Sequence, residues 1–309
     1  MIEGIDAITY RIEHQLEDCQ RFLRDWGLRE ISPTQFDTVN GAQVHLDTEV
    51  AAELEAGNTL ASVLWGVTEA SDLAHLATLL KDAPNFHHSH TEVSARDPHG
   101  LAIRFHLTHK QATTLQGSPS NPYGAPQRIN APSPVYERAT PIEIGHVVLF
   151  SDCLQAAEDF YVRLGFVVSD RYPGRGVFLR ASPEGGHHDL FLLQIPNHPR
   201  GLNHIAYTVR DIHEVFGGGL AMSRAGWKTQ LGPGRHPISS AYFWYFENPA
   251  GGLIEYNADE DHLTQAWQPR SFDPSPTRFA EWAIDGGIDG HTRRQPKVEA
   301  SGSFLTERK

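Results

Sequence analysis

The sequence predicts an α+β protein made of two similar domains, each a pair of βαβββ modules whose strands form one cupped sheet. Three observations carry this expectation. A theme of strand, helix and then about three strands runs through the chain four times. The segment ATTLQGSPSNPYGAPQRINAPSPVYERATP, residues 112–141, is dense in Pro, Ser, Asn and Gly and separates the second occurrence from the third. The length of 309 residues suits about two domains, and internal repetition explains it better than two unrelated folds do. The expected division is a first domain over 1–111, a linker over 112–141, a second domain over 142–260 and a tail over 261–309.

In the first half, DAITYRI reads as a strand, and LEDCQRFLRDWGL as a helix that ends in an aromatic residue followed by glycine. TLASVLWGV restarts the theme with a strand, EASDLAHLATLLKD follows at helical spacing, and DPHGLAIRF closes the half. The second half opens on IGHVVLF, rich in β-branched residues. CLQAAEDFYVRLGF then places Leu154, Ala157, Phe160, Tyr161 and Leu164 on one helical stripe, with Gly165 where a C-cap is expected. VVSDRY, GVFLRA and HDLFLLQI read as short strands. LNHIAYTV begins the fourth module, and DIHEVFGGGLAMSRAG reads as a helix opening at an Asp N-cap. WKTQLG, AYFWYFEN and GLIEYN supply the last strands. The tail carries Trp267 and Trp282; its apolar part is expected to cap the cup, and its final VEASGSFLTERK to be disordered.

Composition narrows the function. Basic residues number 26 and acidic ones 38, a formal charge of −12, which opposes a nucleic-acid footprint. Two cysteines make no disulfide framework and point to a reducing compartment. No apolar run approaches the ~20 residues of a membrane span, and MIEGIDAITY lacks the pattern of a secretory signal. The expectation is a cytoplasmic, homo-oligomeric protein whose partners are small molecules rather than nucleic acid or membrane. Its 18 histidines are the feature to be explained.

The repetition supplies an internal control. Aligning Phe22 with Phe160 sets Ile8 opposite His146; aligning Val67 with Val209 sets Ser62 opposite His204; aligning Pro98 with Pro249 sets Arg104 opposite Glu255. On three matched strands the second half carries His, His and Glu where the first carries Ile, Ser and Arg. Strand alternation lets the three converge on the concave side of a cup. A carboxylate amid GLIEY needs a cation or a hydrogen-bond partner. Two His and one carboxylate form the facial triad of non-haem Fe(II) oxygenases, and zinc hydrolases also use two His and a Glu. His87, His88 and His90 in NFHHSH have no carboxylate on a matched strand and are assigned to a solvated loop or strand edge.

The run IGHVVLF…LNHIAYTV…NPAGGLIEY resembles the vicinal oxygen chelate superfamily and, more narrowly, its type I extradiol catechol dioxygenases. The resemblance covers residues 1–260 in architecture and 142–257 most specifically. It implies the vicinal oxygen chelate fold with a metal only in the second domain, held by His146, His204 and Glu255. It further implies Fe(II), or Mn(II), as cofactor, and a catechol and O2 as substrates. The ring would open next to the diol, giving a 2-hydroxymuconate-type product of aromatic-compound breakdown. His188 matches the family's acid/base histidine; His187 is the neighbouring alternative, with the HD pair and strand alternation favouring His188. His236 matches a substrate-orienting loop histidine, and Tyr245 a tyrosine that hydrogen-bonds the catecholate oxygen. Val148, two residues after the first ligand, would line an apolar O2 pocket. Arg180 stands to meet a carboxylate on the ring or to form a rim salt bridge. The alternatives are another metal-dependent enzyme of the superfamily (isomerase, lyase or hydrolase) and a binding protein that has lost catalysis.

Overall fold

The computed structural model describes residues 1–49, 60–274 and 276–285; the final VEASGSFLTERK lies outside them. Four βαβββ modules follow one another. The first is β1 (Ile2–Arg11), α1 (Leu16–Trp26), β2 (Arg29–Ser32), β3 (Gln35–Asp37) and β4 (Gln43–Asp47). The second is β5 (Leu60–Val67), α2 (Ala70–Leu80), β6 (His87–His88), β7 (Glu92–Arg96) and β8 (Ala102–Leu107). The third is β9 (Glu143–Phe150), α3 (Leu154–Arg163), β10 (Val167–Tyr172), β11 (Gly176–Arg180) and β12 (Leu190–Leu193). The fourth is β13 (Gly201–Thr208), α4 (Ile212–Arg224), β14 (Thr229–Arg235), β15 (Tyr242–Glu247) and β16 (Leu253–Ala258). Beyond them the tail adds β17 (Arg270–Ser271), α5 (Pro276–Phe279) and β18 (Trp282–Asp285).

The two halves have the same topology. One sheet runs β2-β3-β4-β1-β5-β8-β7-β6, and the other runs β10-β11-β12-β9-β13-β16-β15-β14 with β17 and β18 added at its edges. In each, two modules meet through one central antiparallel pair, β1 with β5 and β9 with β13. Each first strand also pairs in parallel with the last strand of its own module.

Local signals explain the helices. Asp211 caps α4 by accepting from the Glu214 N–H at 3.0 Å. Gly27 and Gly165 follow α1 and α3 at φ 103° and 106°, a left-handed turn that favours glycine. The glycine run in α4 has a packing cause. A Cβ on Gly217 would lie 2.0 Å from the Tyr136 carbonyl oxygen, and one on Gly219 would lie 2.0 Å from the Trp244 ring. Residues 112–141 hold no strand or helix. They pass over α4, where Ser118 N–H donates to Asp211 and Thr140 N–H to Glu214.

The faces of the sheets divide the apolar residues. One face packs against the helices in a single core that runs through both halves, from Ile5 and Ile8 to Val147 and Ile254. Helix α1 of the first half covers the second sheet: Trp26 stacks on Tyr256 with ring centroids 3.5 Å apart, and Tyr256 O–H donates to the Trp26 carbonyl. The opposite face of the second sheet carries a separate cluster of Val148, Tyr172, Phe178, Phe191 and Ile238. Among the described residues no helix is long and apolar enough to cross a membrane.

Register corrects one alignment. Glu255 pairs with Ala206, and Arg104 pairs with Leu64, so Ala206 and Leu64 are counterparts. Ala206 lies opposite His146, whereas Leu64 lies opposite Ala7. The first-half counterpart of His146 is therefore Ala7 and not Ile8. The β-bulges just before these residues are matched in the two halves and cancel; the offset taken from helix residues fails because residues 12–15 connect β1 to α1 whereas only 151–153 connect β9 to α3. Burial agrees, because Ile8 and Val147 both face the helix-side core.

Candidate metal centre

Three central strands of the second sheet bring together the residues that the repeat singled out. His146 comes from β9, His204 from β13 and Glu255 from β16, and all three are buried. His146 Nε2 lies 3.2 Å from Glu255 Oε2, His204 Nε2 lies 3.1 Å from it, and the two nitrogens are 3.2 Å apart. The three atoms form a nearly equilateral triangle. His204 Nδ1–H donates to Asn203 Oδ1 at 2.6 Å, which turns Nε2 toward the centre.

Glu255 is fully buried, yet neither of its oxygens has a hydrogen-bond partner. Burial pushes its pKa up; the imidazoles of His146, His204 and His236 outweigh that and hold the carboxyl well below the usual range. Burial in turn lowers the pKa of His204, with the Glu255 charge opposing. An orphaned buried carboxylate facing two imidazole nitrogens is the donor set a divalent cation completes. Bonds of about 2.0–2.2 Å to one ion would hold such atoms roughly 3.0–3.4 Å apart, and the observed spacing fits.

The triangle forms the floor of a cavity of about 190 Å³. Its walls are mainly apolar: Val148, Phe178, Phe191 and Ile238 line it, and Phe279 of α5 closes one side. His188, His236 and Tyr245 point polar atoms into the same space. The His188 ring lies against His146 with centroids 4.0 Å apart. Burial, then the neighbouring His146 and His187, drive its pKa well below the ordinary histidine value, so it is neutral. His236 Nδ1–H donates to the Phe279 carbonyl at 2.7 Å, and His236 Nε2 meets the Tyr245 hydroxyl at 3.0 Å. Burial and then the Glu255 charge push the Tyr245 phenol well above its usual value, so it keeps its proton.

The structure thus places His146, His204, Glu255, His188, His236, Tyr245 and Val148 together. His187 turns away to pair with Asp170. Arg180 does not reach the cavity. It is buried at 2% exposure, and its guanidinium donates to the Ser169 hydroxyl and to the carbonyls of Pro183 and Thr264. Alternation puts Arg180 on the same face as Phe178, but the tail around Thr264 covers that end of the strand. His87 and His88 form β6, an exposed edge strand.

Sequence reasoning missed several neighbours. Glu260, just past β16, sets Oε1 3.0 Å from His188 Nδ1. Asp170 and Arg270 lie behind His187. A signal for Glu260 exists in the acidic run ADED after the closing strand. Asp6 gathers with His106 and His109 in the first half, but it already accepts hydrogen bonds from His106, Thr108 and the His109 backbone.

Part of the chain is similar to known proteins in sequence, and most of it in fold. Residues 143–256 match the model of the Glyoxalase/Bleomycin resistance protein/Dioxygenase superfamily. Metapyrocatechase 2 of Cupriavidus necator is 33% identical over 198 residues, which span 61% of this chain and 59% of that relative. The match therefore covers about three-fifths of the relative's length. A Mn(II)-bound glyoxalase from Novosphingobium aromaticivorans superposes with a TM-score of 0.71 at 21% identity, covering 96% of this chain and 94% of its own. BphC, a halotolerant catechol dioxygenase, superposes with a TM-score of 0.69 at 18% identity, over 93% and 95% of the two chains. These likenesses extend the shared fold across both halves.

Proposed function

We propose that this chain, whose residues 143–256 match the Glyoxalase/Bleomycin resistance protein/Dioxygenase superfamily, is an Fe(II)-dependent extradiol dioxygenase that opens a catechol ring next to its diol. The observation that carries the reading is Glu255: a buried carboxylate with no hydrogen-bond partner, set against two imidazole nitrogens on the floor of an apolar cavity. His146, His204 and Glu255 would hold the ion on one side and leave its other side to the cavity. An iron(II) ion bound there supplies the redox chemistry that couples a catechol to O2. Metapyrocatechase 2, 33% identical over 198 residues, supports that choice of chemistry.

The chain's own residues set the rest. Val148, Phe178 and Phe191 form walls that take an aromatic ring and shed water. His188 is neutral and faces the cavity, so it can accept the proton of a substrate hydroxyl and later return it. Tyr245 keeps its hydroxyl proton in the cavity beside His236 and can donate to a substrate oxygen. His236 is fixed by the Phe279 carbonyl and so orients Tyr245. Val148 lines the apolar side on which O2 would sit. The product expected is of the ring-opened 2-hydroxymuconate type.

The test is O2 uptake and yellow product across a panel of catechols, using protein loaded anaerobically with Fe(II) and, separately, with Mn(II). His188→Phe should keep metal and catechol binding but lose turnover by about 10²–10⁴-fold. A protein that binds the metal yet consumes no O2 with any catechol would overturn this reading. That outcome favours another metal-dependent enzyme of the superfamily, the alternative to which the Mn(II)-bound glyoxalase fold is kin.

A further inference from the structure

We propose that the cavity takes single-ring, uncharged catechols with a small apolar substituent and turns away both carboxylated and two-ring catechols, with Phe279 as the residue that sets the size limit. This preference rests on the reading of the cavity as a catechol site and narrows which catechol it takes.

Charge selects first. A carboxylate on the ring needs a cation inside the cavity, because an ionised group in apolar surroundings without a partner is costly. Among the described residues no Lys or Arg side chain lines the cavity. Two arginines stand behind its walls, and the tail holds both away. Arg180, two residues after the cavity-lining Phe178, gives its guanidinium to the Ser169 hydroxyl and to the carbonyls of Pro183 and Thr264. Arg270 donates to the Ile238 carbonyl at 2.6 Å and to the Asp170 carboxylate at 2.6 Å. Asp170 is fully buried and also accepts the Arg270 backbone N–H at 2.7 Å, which fixes that guanidinium in place. Arg235 pairs with Glu281, and Arg278 lies over the Phe272 ring, 5.5 Å from its centroid. His236 has both ring nitrogens engaged, one by the Phe279 carbonyl and one by the Tyr245 hydroxyl. The walls left for a ring substituent are those of Val148, Phe178, Phe191 and Ile238.

Size selects second. The cavity holds about 190 Å³, below the roughly 300 Å³ at which pockets for drug-sized ligands begin. The Phe178 and Phe191 rings stack with centroids 3.9 Å apart, and Tyr172 packs edge-on against both. That wall is one packed aromatic unit and does not yield to a second ring. Phe279 differs from it. Its side chain is 46% exposed and stands on α5, where it closes one side of the cavity. It meets the His236 ring edge-on, but what holds His236 is its backbone carbonyl. Truncating the Phe279 side chain therefore opens the cavity and leaves the bond to His236 Nδ1 in place.

The test pairs binding with turnover. Full-length protein is loaded with Zn(II) for titration calorimetry and, anaerobically, with Fe(II) for O2 uptake. It is given catechol and its methyl, phenyl, carboxymethyl and carbamoylmethyl derivatives, each substituted para to one hydroxyl. The last two share a shape and differ in charge. The methyl compound should bind about 4-fold tighter than catechol, the worth of one buried methyl group. The carboxylate should fall at least about 10²-fold below its amide in affinity and in kcat/KM. The phenyl compound should fall at least about 10-fold below the methyl one, and Phe279→Ala should raise the phenyl-to-methyl ratio by about 10-fold. A carboxylate accepted as well as its amide would overturn the proposal, as would a phenyl compound accepted as well as the methyl one. An unchanged ratio in F279A would overturn Phe279 as the size limit. If F279A does not fold, the wild-type series decides alone. If the Zn(II) protein binds the series in this order but the Fe(II) protein consumes no O2 with any member, the functional reading fails and the preference stands. O2 uptake fastest with the carboxylate sinks the preference and leaves the functional reading standing, and no binding of any member overturns both.

Discussion

Replacing Glu255 with glutamine should separate the metal's contribution from that of the fold. The carboxylate is fully buried, and the imidazoles of His146, His204 and His236 hold its pKa well below the usual range, so in metal-free protein the ionised group is stabilised by them. Metal-free E255Q, which keeps the shape and loses the charge, should therefore be no more stable than metal-free wild type. Metal widens the difference. At a free metal concentration 100 times its Kd, binding adds about 2.7 kcal/mol to wild-type stability. For a chain of this size that is about 4 °C in Tm. Loss of the only anionic ligand in the triangle should weaken binding by at least about 10²-fold. At the same free metal the gain then falls to about 0.4 kcal/mol, near 1 °C. Thermal unfolding in chelator, and with anaerobic Fe(II) or Mn(II), reads all four states. An equal metal shift in wild type and E255Q would refute the assignment of Glu255 as a ligand. A metal-free variant that melts several degrees above wild type would refute the claim that the imidazoles compensate its carboxylate.

Two further outcomes follow from the structure. Trp26→Ala removes a fully buried ring stacked on Tyr256, the neighbour of Glu255 on β16; denaturant unfolding should show a loss of about 3 kcal/mol or more, with weakened metal binding, and a loss below about 1 kcal/mol would refute the role of α1 in holding the second sheet. Burial, opposed by the Ala181 N–H bond, pushes the Asp189 carboxyl up to about 6. The folded state thus holds its proton to higher pH than the unfolded chain, so stability falls as pH rises from about 4 to about 6, and above that the cost is present in full. Asp189→Asn should therefore raise stability at pH 7 by a margin of about 2–3 kcal/mol that vanishes near pH 4; a gain independent of pH would show that the ionised carboxylate is not its source.

The elements were legible because each carried its own local signal. The stripe of Leu154, Ala157, Phe160, Tyr161 and Leu164 marks α3, and Asp211 marks the start of α4 where its side chain caps the helix. The triangle was legible through repetition: three matched strands differed where chemistry was placed. What escaped has physical causes. The partner of His146 is displaced by one residue because the connection from β1 to α1, residues 12–15, is one residue longer than that from β9 to α3, residues 151–153, and no periodicity records a loop's length. Arg180 was assigned to the cavity because alternation gives the face of a strand and not what covers its end; Thr264 of the tail accepts from it there. Asp170, His187 and Glu260 support His188 through contacts between segments that are distant or irregular in sequence. A strand pattern such as VVSDRY does not show that its aspartate lies under a histidine 17 residues later.

The first sheet shows why the donor triangle forms in one copy of the fold and not in the other. Its counterparts of His146, His204 and Glu255 are Ala7, Ser62 and Arg104. Arg104 is partly exposed and pairs with Glu92 on the neighbouring strand through two N–H donors, so the charge is met within the sheet. In the second sheet the equivalent position holds a carboxylate, and the next strand offers Tyr245 in place of a cation. There Glu255 is fully buried, and Phe279 of α5 stands on one side of the cavity, so the solvent that screens Arg104 in the first half is kept from the carboxylate. A carboxylate sealed in this way has to be met by a cation, by protonated imidazoles or by its own proton. The imidazoles of His146 and His204 meet it, and the same two nitrogens complete a donor triangle. Burial of the position and the donor triangle thus go together: Arg104→Glu alone would set a second carboxylate beside Glu92 in a partly exposed sheet and make no site.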